Sequence, residues 1–167
     1  MLIRSSLAGV CRIRLRLRRD WAPKACDAVA RLANWGINGF YGPPYGLLQG
    51  GMPGLGRSGG VENPTLRPVK RGTAGFIGEG ADYFIGTVDH SEWGGAFTVF
   101  AEVEEAGMAA VVPLIPTAPY RNSTDEQYHF TTRWLLTPVP YKLVALRRED
   151  LLLARGVRGG GGEGDAL

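Results

Sequence analysis

The amino-acid sequence predicts a mainly β protein, and three observations lead to this prediction. The 167 residues include 25 glycines and 11 prolines, a composition that suits many short strands and turns better than long helices. Runs of β-branched and aromatic residues recur at short spacing, with turn-forming residues between them. Only two segments show credible helix signals. The length suits a single domain with its own hydrophobic core.

Composition excludes several classes of protein. No apolar run approaches the ~20 residues that a membrane span needs, so we expect no membrane span. Cys11 and Cys26 are too few for a disulfide framework, although a single bridge between them stays open. The two histidines lie far apart, and we expect neither a metal nor another cofactor.

The first confident strand is Cys11–Arg18, in which apolar residues and arginines alternate. A period of two places one set of apolar side chains on a single face, namely Cys11, Ile13, Leu15 and Leu17. Alternatively, residues 1–19, which are rich in arginine and free of acids, form a helical organelle transit peptide. The strict alternation favours the strand, and residues 1–9 then form an uncertain earlier strand.

The arginines in this segment also bear on partners and location. A basic face can bind nucleic acid or anionic lipid. Aromatic residues do not alternate with these arginines, and the net charge is only +3. We therefore expect a solvated face and no nucleic acid partner. The default location is the cytoplasm, and an organelle if the first 19 residues are a targeting signal.

A helix is predicted from Pro23, whose fixed φ suits a first turn, to Gly36. Its core-facing residues have helical spacing: Cys26, Val29, Ala30 and Ala33. Farther along the chain, residues 50–64 are rich in glycine. Gly51–Ser58 approaches a phosphate-binding motif, but glycines and a proline follow where that motif needs a helix. We predict a mobile surface loop here.

The central block of the chain is predicted to be strand, loop, strand and short helix. The strands are Tyr83–Val88 and Phe97–Val103, on either side of a polar loop that carries Trp93. The helix is Glu104–Val112, which begins with acids and is followed by proline. Further predicted elements are a closing strand at Tyr128–Val139, a short charged helix at Arg147–Arg155 and a disordered tail at Gly156–Leu167.

This central block resembles the core of cyclophilin-type peptidyl-prolyl isomerases. In that family a Phe-Phe-Ile strand, a loop carrying Trp, a His-Thr-Val-Phe-Gly strand and a Glu-Gly-Met helix start follow each other at nearly this spacing. The counterparts are Tyr83-Phe84-Ile85, Trp93, Phe97-Thr98-Val99-Phe100-Ala101 and Ala106-Gly107-Met108. Residues 10–146 are then one cyclophilin-like domain, between the uncertain segment 1–9 and a charged, glycine-rich tail at 147–167.

The resemblance implies a closed antiparallel β-barrel of about eight strands, capped by two short helices. It also implies catalysis of prolyl cis-trans isomerisation, whose barrier is the partial double bond of the amide, ~18–20 kcal/mol. Such an enzyme needs an apolar pocket for the proline ring, a group that grips the backbone, and a donor to the prolyl nitrogen. By resemblance, Phe84, Trp93 and Phe100 supply the pocket, and Gln49 grips the backbone.

This sequence departs from the family at the residue that donates to the prolyl nitrogen. No arginine stands at Tyr41-Gly42, and Phe97 replaces the family's pocket histidine. The Tyr41 hydroxyl is a weak substitute, and Arg57 is another candidate from the neighbouring loop. Loss of a preorganised donor costs ~10²–10³ in rate. We therefore expect a weakened isomerase that acts on proline-containing peptides or client proteins and binds cyclosporin-like ligands weakly.

The alternative is a non-catalytic module that binds proline-containing segments or a protein partner. An arginine within reach of the Phe84 and Phe100 pocket favours the enzyme, and a pocket closed by the Phe97 ring favours the module. Asp89-His90-Ser91 is predicted to be a solvated loop and not a hydrolase site, because adjacent residues cannot easily turn three side chains onto one another.

Overall fold

The computed structural model describes residues 2–5, 11–31, 34–41, 46–52, 55, 62, 67–78, 80–110, 112–127 and 129–144. For residues 2–5, 11–12, 34–41, 130 and 140–144 only the backbone is described. The predicted tail, the predicted helix at Arg147–Arg155 and most of the predicted loop at 50–64 lie outside these residues.

The described residues form nine strands and two α-helices. The strands are β1 (Leu2–Ser5), β2 (Cys11–Leu17), β3 (Asn34–Tyr41), β4 (Leu47–Gly51), β5 (Thr73–Phe76), β6 (Asp82–Gly86), β7 (Val99–Val103), β8 (Tyr120–Asp125) and β9 (Phe130–Val144). The helices are α1 (Pro23–Ala30) and α2 (Glu105–Ala110), with 3₁₀ segments at Ser91–Trp93 and Val112–Thr117. Neither α-helix is long and apolar enough to cross a membrane. The predicted mainly β architecture with two short helices is confirmed.

Strand pairing among the described residues is antiparallel throughout. The order in the sheet is β1-β2-β7-β5-β6-β4-β3-β9-β8, and β1 also pairs with β9. Leu2 lies opposite Arg14 on one side and opposite Val144 on the other. The circuit of pairings therefore returns to β1, with β8 attached outside it to β9.

The alternation predicted for the first arginine-rich segment is confirmed in β2. Ile13 and Leu15 are 2% and 3% exposed, whereas Arg14 and Arg16 reach solvent. The charge on this face is balanced by β7 and the residue after it. Arg18, which follows β2, bonds Glu102 at 2.9 Å, and Arg14 lies 3.8 Å from Glu104. The segment is a half-buried strand and not an amphipathic helix.

The predicted end of the first helix is wrong. Helix α1 ends at Ala30, and Gly36 lies inside β3. The backbone of β3 pairs with β4 on one side and with β9 on the other, so its hydrogen-bonding groups are satisfied in the sheet. Cys26 and Val29 are fully buried as predicted, but Ala30 is exposed. Ala33 lies outside the described residues.

Strand β8 was not predicted, and β9 is longer than predicted. Every residue of β8 up to Thr124 is exposed, so the strand lacks the alternation of apolar and polar residues on which strand prediction depends. It forms a hairpin with the first part of β9, where Tyr120 lies opposite Leu135 and Asp125 opposite Phe130. Its backbone pairing, and not burial, holds it in the sheet.

The two faces of the central strands have different roles. Leu48 lies opposite Ile85, and Ile85 lies opposite Ala74; all three are at most 2% exposed. Directly opposed residues share a face of a sheet, so these three define a core face. Their neighbours along the strands point to the other face, which carries the candidate site.

Candidate functional site

The second face of the central strands, here called the site face, is defined by Gln49, Phe84 and Gly75. Gln49 on β4 lies opposite Phe84 on β6, and Phe84 lies opposite Gly75 on β5. Gly39 on β3 lies opposite Gln49 on the far side. The backbone thus places the predicted backbone grip directly beside the predicted pocket aromatic.

Gly75 provides the space that the Phe84 ring occupies. A Cβ atom at Gly75 would lie 2.6 Å from Cζ and 2.9 Å from Cε1 of Phe84. The same Cβ would lie 3.2 Å from the carbonyl oxygen of Thr98. The ring therefore packs against the backbone of Gly75, and a side chain at position 75 would force the ring or the sheet to shift.

Three aromatic residues predicted for the site are in contact. Phe84 meets Phe97 edge to face, with ring centroids 5.3 Å apart and an angle of 80°. Trp93 lies 5.2 Å from Phe97 and 6.5 Å from Phe84. Phe84 is only 1% exposed, whereas Trp93 and Phe97 are half-buried. The two half-buried rings belong to the loop between β6 and β7, and they pack over Phe84.

The other two predicted site residues are placed differently. The Phe100 ring is fully buried and packs against Phe76, with centroids 4.5 Å apart. Its carbonyl oxygen accepts hydrogen bonds from the Arg18 backbone N–H at 2.8 Å and the Cys26 thiol at 3.3 Å. Tyr41 lies opposite Leu47 in β3, at the edge of the site face. The side chains of Tyr41 and Arg57 lie outside the described residues.

Sequence reasoning missed His90, which it assigned to a solvated loop. The imidazole is 3% exposed and stacks on the Trp93 indole, with centroids 3.7 Å apart and an angle of 5°. Its Nδ1 lies 2.6 Å from Oε1 of Glu92, and this contact holds the pKa of the Glu92 carboxyl below its usual range. The alternation of apolar residues gives no signal for such a histidine, because the segment is not a regular strand or helix.

A second missed residue is Glu62, which joins helix α1 to the site. Its backbone N–H donates to Oγ1 of Thr98 at 2.8 Å. Its carboxylate accepts from the backbone N–H groups of Lys24 and Ala25, both at 3.0 Å. Thr98 directly follows Phe97, so one glutamate ties the rim of the aromatic cluster to the start of the helix.

The arrangement suits binding more clearly than bond-breaking chemistry. Asp89, which sequence analysis rejected as a hydrolase residue, accepts a hydrogen bond from the backbone N–H of Arg71 at 2.8 Å. The amide of Gln49 has both donor and acceptor atoms and can pair with a peptide backbone. Its strand partner Phe84 contacts the half-buried Trp93 and Phe97 rings, and these two rings can cover an apolar side chain.

Comparison with known proteins gives a distant similarity of fold. The fold is similar to a crystal structure of a cyclophilin-type peptidyl-prolyl cis-trans isomerase from Cryptosporidium parvum, determined in the presence of the dipeptide Ala-Pro. The TM-score is 0.48 at 15% identity, over 87% of this chain and 100% of that chain. No protein-family profile and no curated protein sequence matches this chain.

Proposed function

We propose that this protein is a cyclophilin-like domain that binds proline-containing peptides on its site face and accelerates their cis-trans isomerisation weakly. The observation that carries the proposal is the direct pairing of Gln49 with Phe84, under the Trp93 and Phe97 rings. The sequence resemblance assigns Gln49 to the backbone grip and Phe84 and Trp93 to the pocket. We infer in addition that the circuit of strand pairings through β1 and β9 forms a closed barrel.

The physical argument begins with the amide bond. Twisting it removes resonance, so the transition state is favoured by an apolar surface that strips water from the prolyl group and by a fixed contact to the flanking backbone. Phe84 and Trp93 offer the apolar surface, and the amide of Gln49 is one strand spacing from Phe84, ~4.8 Å between backbones. No covalent intermediate or cofactor is involved in this reaction.

Two features of the site favour weak activity. Gly42 follows Tyr41 at the position where the family has an arginine, so a charged donor is missing there. The Phe97 ring lies against Phe84 and leaves it only 1% exposed, so a proline ring must displace Phe97 before it reaches Phe84. Both features reduce the stabilisation of the transition state relative to the bound peptide.

The second candidate is a module that binds proline-containing segments without catalysis. The coverage of Phe84 by Phe97 is the observation that favours it. In this function the exposed edges of the Trp93 and Phe97 rings make the contacts, and the absent donor has no consequence. The two candidates differ in rate enhancement, and one assay measures that difference.

The deciding experiment is a protease-coupled isomerisation assay with an Ala-Pro tetrapeptide, accompanied by peptide titration. Wild type is compared with Gln49→Ala and Trp93→Ala, and Leu114→Ala serves as a control for an exposed apolar residue at another place, 40% exposed. Acceleration that either site variant reduces supports the isomerase. Binding without acceleration supports the module. If the folded protein shows neither binding nor acceleration, both candidates are refuted.

A further inference from the structure

We propose that Glu92 and His90 are positioning residues that hold the Trp93 indole in place on the site face. The inference rests on the proposed function, because Trp93 is useful in this position only if the site face binds a peptide. It assigns roles to two residues for which the sequence resemblance predicts none.

The stacking contact is the first step of the argument. The planes of His90 and Trp93 are 5° apart and their centroids 3.7 Å apart, which is full face-to-face contact. One face of the indole is thereby covered by imidazole, while the indole remains half-buried overall. The rotation of the Trp93 side chain is therefore limited by the position of the imidazole.

The imidazole is itself held from two sides. Its backbone N–H donates to the Val69 carbonyl oxygen at 2.9 Å, which fixes the main chain beside β5. Its Nδ1 lies 2.6 Å from the Glu92 carboxylate, and because a carboxylate only accepts, Nδ1 carries the proton. This charge-assisted bond fixes the plane of the ring.

The short turn between these residues makes the arrangement local. Ser91–Trp93 form a 3₁₀ turn in which the Trp93 N–H donates to the His90 carbonyl oxygen at 3.1 Å. Glu92 projects into solvent from this turn, with 63% of its side chain exposed. Its effect on the indole therefore passes through His90, and removing the carboxylate leaves the buried core untouched.

Two of the other charged residues near His90, Arg71 and Asp89, have partners of their own. Lys70 and Arg71 follow Val69 in the chain, and Asp89 precedes His90. Arg71 pairs with Glu105 at 2.6 Å, and Asp89 accepts the Arg71 backbone N–H. Glu92 is a carboxylate in direct contact with the imidazole.

The test uses 5-fluorotryptophan-labelled protein, with the Trp93 ¹⁹F resonance assigned from Trp93→Phe. Glu92→Ala is expected to shift this resonance and to weaken binding of an Ala-Pro tetrapeptide about three- to tenfold, the effect of one lost hydrogen bond. Glu92→Gln keeps an oxygen acceptor, so its Trp93 resonance and its affinity for the peptide are both expected to stay close to those of wild type. Ser91→Ala, in the same exposed turn, is the matched control and is expected to change neither the Trp93 resonance nor the affinity for the peptide.

The resonance also has an expected pH dependence. In wild type it moves as the medium is acidified through the lowered pKa of Glu92, and in Glu92→Gln that movement is lost. A Trp93 resonance that is unchanged in Glu92→Ala, or that moves equally in Ser91→Ala, overturns the positioning role. If the resonance behaves as expected but wild type binds no peptide, the positioning role stands and the proposed function fails.

Discussion

The Phe84 ring and the backbone of Gly75 lie so close that no side chain fits between them: a Cβ at position 75 would be 2.6 Å from Cζ of Phe84. The glycine and the ring belong to neighbouring strands and lie directly opposite each other. Because Phe84 also contacts Phe97 and Trp93, the position of this ring sets the position of the whole aromatic cluster.

The first prediction concerns this close approach. We expect Gly75→Ala to push the Phe84 ring off the sheet, to lower the free energy of unfolding by about 1–3 kcal/mol, and to weaken peptide binding. Urea denaturation and peptide titration measure the two effects. The matched control is Gly80→Ala, where the nearest atom to the added Cβ is 4.0 Å away. Equal stability of the two variants would show that the ring accommodates a methyl group.

The second prediction concerns the start of helix α1. The residue before the helix, Ala22, has no capping side chain, and Glu62 accepts the N–H groups of Lys24 and Ala25 in its place. We expect Glu62→Ala to lower the free energy of unfolding by about 1–2 kcal/mol, the value of a helix cap. Glu62→Gln keeps one oxygen acceptor, so it should lower the free energy of unfolding by about half of that amount.

Hydrogen exchange of the Lys24 and Ala25 amides checks the same prediction locally. Both amides should exchange faster in Glu62→Ala, because their acceptor is gone. Glu126→Ala, at an exposed turn residue, controls for the loss of one negative charge. Protection that stays at the wild-type level in Glu62→Ala would mean that water or another group caps the helix equally well.

Strand β2 was predictable from the sequence, and strand β8 was not. In β2, Ile13 and Leu15 alternate with arginines, and this period of two predicts a strand. Strand β8 has no such signal, because its residues up to Thr124 are exposed and only its pairing with β9 makes it a strand. Gly36, which was predicted to end a helix, lies in β3 because this segment pairs with β4 on one side and with β9 on the other.

The candidate site residues came from the sequence resemblance, which assigned Gln49, Phe84 and Trp93 to one site. In the structure, the pairing of β4 with β6 puts Gln49 opposite Phe84, whereas other contacts of the site are made by loops that gave no signal in the sequence. His90 stacks on Trp93 through a local turn, which no periodic pattern reports. Glu62 donates to Thr98, which lies 36 residues further along the chain, and no local pattern in one amino-acid sequence predicts such a distant contact.

The third prediction concerns acid. Hydrogen bonds from His90, Arg71 and Arg18 hold the pKa values of Glu92, Glu105 and Asp20, respectively, below their usual range. A folded-state pKa below the unfolded value means that the carboxylates stabilise the fold at neutral pH. This contribution is lost as the pH falls from about 4, the unfolded value, through the lowered values.

We therefore expect the midpoint of urea unfolding to fall between pH 5 and pH 3, by an amount that added salt reduces because these pairs are exposed. Glu105→Gln should show a smaller dependence on pH over that interval, since it lacks one of the three carboxylates. A pH dependence identical to that of wild type would mean that the Arg71 pair does not contribute to stability.

The last prediction concerns Phe97, the residue that most clearly separates the two candidate functions. Its ring covers Phe84, which is 1% exposed, so we expect Phe97→Ala to uncover Phe84 and to raise the affinity for an Ala-Pro tetrapeptide. The variant should lose about 1–2 kcal/mol of stability, less than a fully buried phenylalanine, because Phe97 is half-buried. Calorimetric titration measures the affinity, and Leu114→Ala is the control. A lower affinity would instead make Phe97 part of the surface that contacts the peptide.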